Sequence, residues 1–187
     1  LVDQLATSPE ERALLTCWLL TCWLRQRLNT RALLFCQGPA GSGKSQAAKA
    51  ATVLVFGEER LIDPTPAACR TEGALQPVVV LDNKESRNMD QALTQFLLLS
   101  ATGITRKKRA EGTTDGIHDE QINALVLITA IEPPGLPELA ARTLTVNFSH
   151  ELQRPGYQPV AALRGLLKAR SAILTGVWSL VAQMLAG

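Results

Sequence analysis

Gly38-Pro39-Ala40-Gly41-Ser42-Gly43-Lys44-Ser45 is the stretch whose reading decides the fold. It carries Gly-x-x-x-x-Gly-Lys-Ser in full, the pattern of a loop that cradles phosphate groups. Glycines at 38, 41 and 43 let the backbone turn successive N–H groups inward toward anionic oxygens. The residues around the loop supply the context. Arg31 to Gln37 is a short apolar run that predicts a strand, and Lys44 to about Val55 predicts a helix. The loop therefore ends at a helix N-terminus, whose partial positive charge favours an anion. In that setting Lys44 reaches the β- and γ-phosphates of a nucleoside triphosphate, the Ser45 hydroxyl ligates Mg²⁺, and Gln46 follows on the same turn. ATP and Mg²⁺ are the expected cofactors.

Further along, Pro77 precedes Val78-Val79-Val80-Leu81, a continuous apolar run of the kind found in strands covered on both faces. It ends at Asp82, which has the form of a Walker B aspartate: it would sit at the carboxyl end of its strand and hold the metal directly or through water. The alternative is an aspartate that caps the turn at Asn83. Hydrolysis also calls for a carboxylate to polarise the attacking water. The place after Asp82 holds Asn83, an amide that cannot act as a base, so Glu85 is the nearest candidate. A solvated loop acid is the competing reading of Glu85.

The remaining segments alternate in the same way. Ser8-Pro9-Glu10-Glu11 reads as a capping box opening a helix to about Leu28. The repeat Thr16-Cys17-Trp18-Leu19 and Thr21-Cys22-Trp23-Leu24 has a five-residue offset, which predicts a helix buried on several sides. Asp63-Pro64-Thr65-Pro66 reads as a turn region. Asn88 to Ser100 predicts a helix, Gly103 to Asn123 a polar stretch, and Leu125 to Ile128 a third strand. Leu136 to Arg142 predicts a short helix and Leu144 to Phe148 a fourth strand. Two helical segments, divided near Arg170-Ser171, follow Pro159. Strands alternating with helices imply an α/β fold of three layers, a mostly parallel sheet with helices on both faces. The expected division is an N-terminal helical segment over 1–30, a P-loop ATPase core over 31–150, and a C-terminal helical lid or fragment of a next domain over 151–187.

Composition narrows the class. Apolar residues make up 46% and charged residues 19% of 187, the balance of a folded protein rather than a disordered one. A formal charge of +2 gives no global case for nucleic-acid binding, so any such case must come from a local cluster. Cys17, Cys22, Cys36 and Cys69 form no Cys-x-x-Cys pair, which argues against a structural zinc site. They read as small buried hydrophobes in a reducing, cytoplasmic setting. No signal peptide is visible, and the apolar stretch Ala13 to Leu24 is too short to span a bilayer, so no membrane is expected. The chain reads as a piece of a longer parent with other domains.

The order of these parts resembles AAA+ and related oligomeric ATPases. The C-terminal half is similar, more narrowly, to the helicase domain of phage- and plasmid-type primase-helicases in helicase superfamily 3. The segments that carry this are Ala101-Thr102-Gly103-Ile104-Thr105-Arg106-Lys107-Lys108-Arg109, Ala124 to Ala130, and Pro137-Glu138-Leu139-Ala140-Ala141-Arg142 leading into Leu144 to Phe148. The resemblance implies a sensor role for Thr129, toward the γ-phosphate or the attacking water, where the family more often has asparagine; a threonine that ends a strand before the Glu132-Pro133-Pro134 turn is the alternative. It implies an arginine finger at Arg142, reaching a neighbouring subunit's site; a surface pair with Glu138 is the alternative. It implies a channel loop at Arg106, Lys107, Lys108 and Arg109 that grips a nucleic-acid backbone; a solvated helix end is the alternative.

Two functions compete at this point. One is an ATP-hydrolysing motor acting on single- or double-stranded DNA as a ring, most simply a hexamer, of helicase or primase-helicase type from a mobile element. The other is an AAA+-like regulatory or remodelling ATPase whose partner is protein. A small-molecule kinase ranks third, because no substrate pocket or lid arginines are identifiable.

Overall fold

The computed structural model describes residues 5–61, 65–85, 87, 89–103, 105–109, 117–153 and 155–186, with backbone only for 105–109 and 117–121. Twelve principal elements follow in order: α1 (Pro9–Leu24), β1 (Leu33–Gln37), α2 (Lys44–Phe56), α3 (Pro66–Leu75), β2 (Val78–Leu81), α4 (Gln91–Thr102), β3 (Thr105–Arg109), β4 (Ile117–Gln121), β5 (Leu125–Ala130), α5 (Pro137–Ala140), β6 (Thr143–Asn147) and α6 (Pro159–Ala186). Short 3-10 turns cover Arg25–Arg27 and His150–Leu152.

The main sheet has the order β2-β5-β1-β6, and every pairing in it is parallel. Its strands alternate between two cores, as the two-residue period of a strand requires. Leu34, Cys36, Val78, Val80, Leu125, Leu127 and Val146 face α1 and α2. Leu33, Phe35, Val79, Leu81, Val126 and Ile128 face α3 and α4. The expected three-layer α/β architecture is thus the architecture observed. Trp18, Phe35 and Phe96 are among the largest fully buried side chains, and burial of each contributes roughly 1.5–3 kcal/mol.

The capping box at Ser8 and Glu11 forms with both reciprocal hydrogen bonds. The tandem repeat, however, does not give a helix buried on several sides: only Leu15, Trp18 and Cys22 of α1 are buried. Their spacing keeps a single stripe, so the five-residue offset turns Trp18 of the first copy and Cys22 of the second inward. Trp18 Nε1 donates to the carbonyl of Ala32 at 2.8 Å, tying α1 to the start of β1. Cys17 is exposed, against the expectation for all four cysteines, while Cys22, Cys36 and Cys69 are buried. Burial pushes the Cys22 and Cys36 thiols up to about 12.

Helix α3 was absent from the sequence expectation. Thr65 caps it, accepting from the N–H of Ala68, with Pro66 as its first residue. It packs closely on α4, because a Cβ at Gly73 would lie 2.9 Å from the Phe96 ring. The basic run lies on β3, in an antiparallel pair with β4, rather than at a helix end. The C-terminal segment is one helix of 28 residues, undivided at Arg170-Ser171. Arg170 lies within it and donates to the carbonyls of Leu54 and Val55, both at 2.9 Å, which satisfies the end of α2. Leu166 of α6 packs with Ala50, Val53 and Leu54. By length and composition α6 is apolar enough to cross a bilayer, and 11% of its most apolar window is buried.

Candidate nucleotide-binding site

The loop between β1 and α2 needs glycine where the sequence puts it. Gly38 has φ +147°, and a Cβ there would lie 2.2 Å from the carbonyl oxygen of Phe148. Gly43, with φ +98°, is the N-cap of α2, and no side chain caps that helix end. The first N–H groups of α2 are therefore left to an external acceptor. Lys44 is buried in the mouth of the loop, and its ammonium donates to the carbonyls of Gly38 at 2.7 Å and Pro39 at 2.8 Å. Burial draws its pKa below the usual lysine value, while the Glu85 and Asp82 carboxylates act the other way. Ser42 is fully buried, and its Oγ has no partner among the described residues.

Asp82 follows β2 at the carboxyl end of the sheet. Its Oδ1 accepts from the Ser45 hydroxyl at 2.8 Å and from the Thr129 hydroxyl at 2.6 Å. Thr129 Oγ1 accepts in turn from the N–H of Asn83 at 2.8 Å. A hard divalent cation takes oxygen ligands and is commonly held by one carboxylate together with substrate phosphates. Asp82 and Ser45 supply that donor set, and no cluster of three or more His, Cys, Asp or Glu side chains suited to a metal occurs among the described residues. The residues present thus fit Mg²⁺ carried in with a triphosphate.

Glu85 is buried near this group but already engaged: its carboxylate accepts from the N–H of Ile131 at 2.7 Å and of Glu132 at 3.3 Å. Those bonds secure the turn after β5. The structure thus gathers Lys44, Ser45, Asp82 and Thr129 directly, with Glu85 beside them.

Arg142 stands apart. It precedes β6, and its carbonyl accepts from the N–H of Leu33 at the first residue of β1. The phosphate loop leaves the other end of β1, so the two lie at opposite strand ends of the sheet, separated by roughly 15 Å of strand. Arg142 Nη2 is 3.7 Å from Glu138 Oε1, the i, i+4 pair expected as its alternative. It lines a groove of about 490 Å³ with Thr30, Arg31, Thr102 and Thr143. Arg106, Lys107, Lys108 and Arg109 lie on β3, where the register sets Arg106 opposite Glu120 and Lys107 opposite Asp119; their side chains lie outside the described ones.

Gln46 was expected at the loop; Tyr157, Gln153 and Asn147 beside it escaped the sequence reading. Gln46 Oε1 is buried with no partner among the described residues, and Gln46 adjoins Leu5, Ala6, Gln153 and Tyr157. Burial raises the Tyr157 phenol above its usual range. On the far side of the loop, Gln37 donates to Asn147 Oδ1 at 2.6 Å, and Asn147 donates to Glu11 from both its backbone N–H and its side-chain amide. A polar residue ending an alternating strand in a parallel sheet was the available signal for Asn147.

No protein-family profile and no curated protein matches the chain. Among solved structures, it is similar to the SCCmec type IV Cch helicase, with 20% identity, a TM-score of 0.48, and coverage of 79% of this chain and 28% of that one. The C-terminal region of NrS-1 matches with 12% identity and a TM-score of 0.47, over 90% of this chain and 45% of that one. JCV helicase matches with 17% identity and a TM-score of 0.44, over 87% and 51%. The chain spans about half or less of the length of each.

Proposed function

We propose that this chain is the ATPase core of an oligomeric motor acting on DNA, of helicase or primase-helicase type. The observation that carries the ATPase part is the convergence of Lys44, Ser45 and Asp82 at the mouth of a glycine loop opening an uncapped helix. When bound, Mg²⁺ would neutralise charge on the transferring phosphoryl group. The chain's own residues do the rest. The loop N–H groups and Lys44 bind and orient the phosphates, Asp82 and Ser45 hold the cation, and a carboxylate orients water. Glu85 would fill that last role with the lone pairs its carboxylate keeps beyond the bonds from Ile131 and Glu132.

The placement of Arg142 supports the oligomer. Arg142 sits at the strand end away from its own Lys44, so as a finger it serves a neighbour's phosphates, and repetition of that head-to-tail contact builds a ring where its rotation closes. Mixing Arg142→Ala with Lys44→Ala protein, each inactive alone, should then restore part of the turnover, because an intact Lys44 site can face an intact Arg142. Turnover of Arg142→Ala equal to the parent's dismisses the shared site.

DNA enters through the β3–β4 hairpin. Replacing Arg106, Lys107, Lys108 and Arg109 by alanine should abolish binding to single-stranded DNA, measured by fluorescence anisotropy, while the parent's binding falls steeply with salt and little with sequence. Parent-like binding by the quadruple variant removes DNA from the account. One observation favours the second reading, a remodelling ATPase with a protein partner. Two of the four cations stand opposite acids in the register, so the hairpin is less basic than the run alone. Turnover stimulated by a protein partner and not by DNA would select that reading.

A further inference from the structure

We propose that Thr129 is a positioning residue for Asp82, and that its hydroxyl orients the carboxylate toward the cation rather than touching the phosphate itself. The proposal rests on the nucleotide reading above. Thr129 is 1% exposed and lies on β5 one residue beyond the Leu81–Ile128 pair, which brings it beside Asp82. A hydroxyl has one proton to give. Because the N–H of Asn83 donates to Thr129 Oγ1, and because a carboxylate only accepts, that proton has a defined destination, Asp82 Oδ1 at 2.6 Å. The Thr129 carbonyl also accepts from the N–H of Lys84 at 2.9 Å. Three consecutive residues after β2 are thereby wrapped around one threonine. Asn83 takes φ +56°, a left-handed conformation uncommon outside glycine, to make that turn.

The consequence for Asp82 is directional. Ser45 and Thr129 both donate to Oδ1, and no described residue is seen donating to Oδ2. The two bonds to Oδ1 fix the plane of the carboxylate, and the Ser45 oxygen keeps lone pairs for a cation while its proton points at Oδ1. Partners that orient a metal-binding carboxylate in this way typically change metal affinity about 10–100-fold when removed. A threonine that instead contacted the γ-phosphate would have to give up its bond to Asp82.

The test uses the full chain, a fluorescent ATP analogue, and Mn²⁺ followed by electron paramagnetic resonance. Thr129→Val keeps the shape and removes the hydroxyl; Thr129→Ser keeps the hydroxyl; Thr129→Cys keeps the size with a weak donor and serves if the valine variant does not fold. The expected result is a rise of about 10–100-fold in the Mn²⁺ concentration that half-saturates the Thr129→Val complex. Thr129→Ser should return to near the parent, and Thr129→Cys should fall between. Affinity for the analogue in EDTA should change much less. Parent-like Mn²⁺ binding by Thr129→Val, or by Thr129→Cys in its place, overturns the proposal. So does an equal loss of analogue affinity with metal and in EDTA, which marks direct contact with phosphate. A parent that binds no analogue fails the nucleotide reading instead, and this proposal with it.

Discussion

Lys44→Ala should fold as the parent does and bind ATP about 10–100-fold more weakly, the loss that follows from deleting a charge-assisted hydrogen bond of roughly 1.5–3 kcal/mol. Hydrolysis should fall further, by about 10²–10³-fold, because charge develops on the phosphoryl group in the transition state where the ammonium is already placed. Folding should survive because the side chain's partners are solvent-side loop carbonyls of Gly38 and Pro39, which water can satisfy once the ammonium is gone. Removal of the buried ammonium also relieves its desolvation, the larger influence on its pKa. Circular dichroism, a thermal melt and a binding titration on the same sample separate these effects. Parent-like affinity and turnover in Lys44→Ala would contradict the assignment of the loop.

Asp82→Asn should behave differently. The amide keeps the size of the side chain, and its oxygen can still accept from Ser45 and Thr129. ATP binding should therefore persist, because it rests on backbone N–H groups and Lys44. Hydrolysis should fall about 10²-fold or more, since a neutral amide places a divalent cation poorly and metal stabilisation of the transition state is worth several kcal/mol. Glu85→Gln belongs beside it. An amide at that position can still accept from Ile131 but cannot act as a base. Trapped, unhydrolysed ATP is the expected outcome if Glu85 polarises water; full turnover assigns the residue to the β5 turn alone. Full Mg²⁺-dependent turnover by Asp82→Asn would contradict the metal role.

What could be read from the sequence was whatever lies close together in the chain. The glycine loop, its flanking strand and helix, and the capping box at Ser8 are all complete within a few residues, and all were legible. The four strands of the main sheet were legible, three because strands covered on both faces are written as short apolar runs and β6 because its apolar residues alternate. Helix α3 was not. It buries only Cys69 and Gly73, so it shows no apolar period, and Thr65-Pro66 was its only signal. The continuity of α6 was also hidden, because the partner of Arg170 is the end of α2, far away in sequence.

The same division holds at the site. That Asp82 lies near the loop followed from motif logic, but its bond to Thr129 depends on β2 and β5 being neighbours, which spacing does not reveal. Glu85 looked like a free acid because its partners, Ile131 and Glu132, are supplied by another strand's exit. The position of Arg142 was legible in principle. In a parallel sheet, a residue entering one strand lies at the opposite end from a loop leaving another. The basic run misled in one respect: read alone it is four cations, whereas in the hairpin two of them stand opposite acids.

The most direct test of the central claim is a calorimetric titration of the unmodified chain with ATP, once in Mg²⁺ and once in EDTA. The account predicts saturable binding of one nucleotide per chain, tighter with Mg²⁺, and abolished or sharply weakened by Lys44→Ala. No saturable binding under either condition, by a chain shown to be folded, would contradict it.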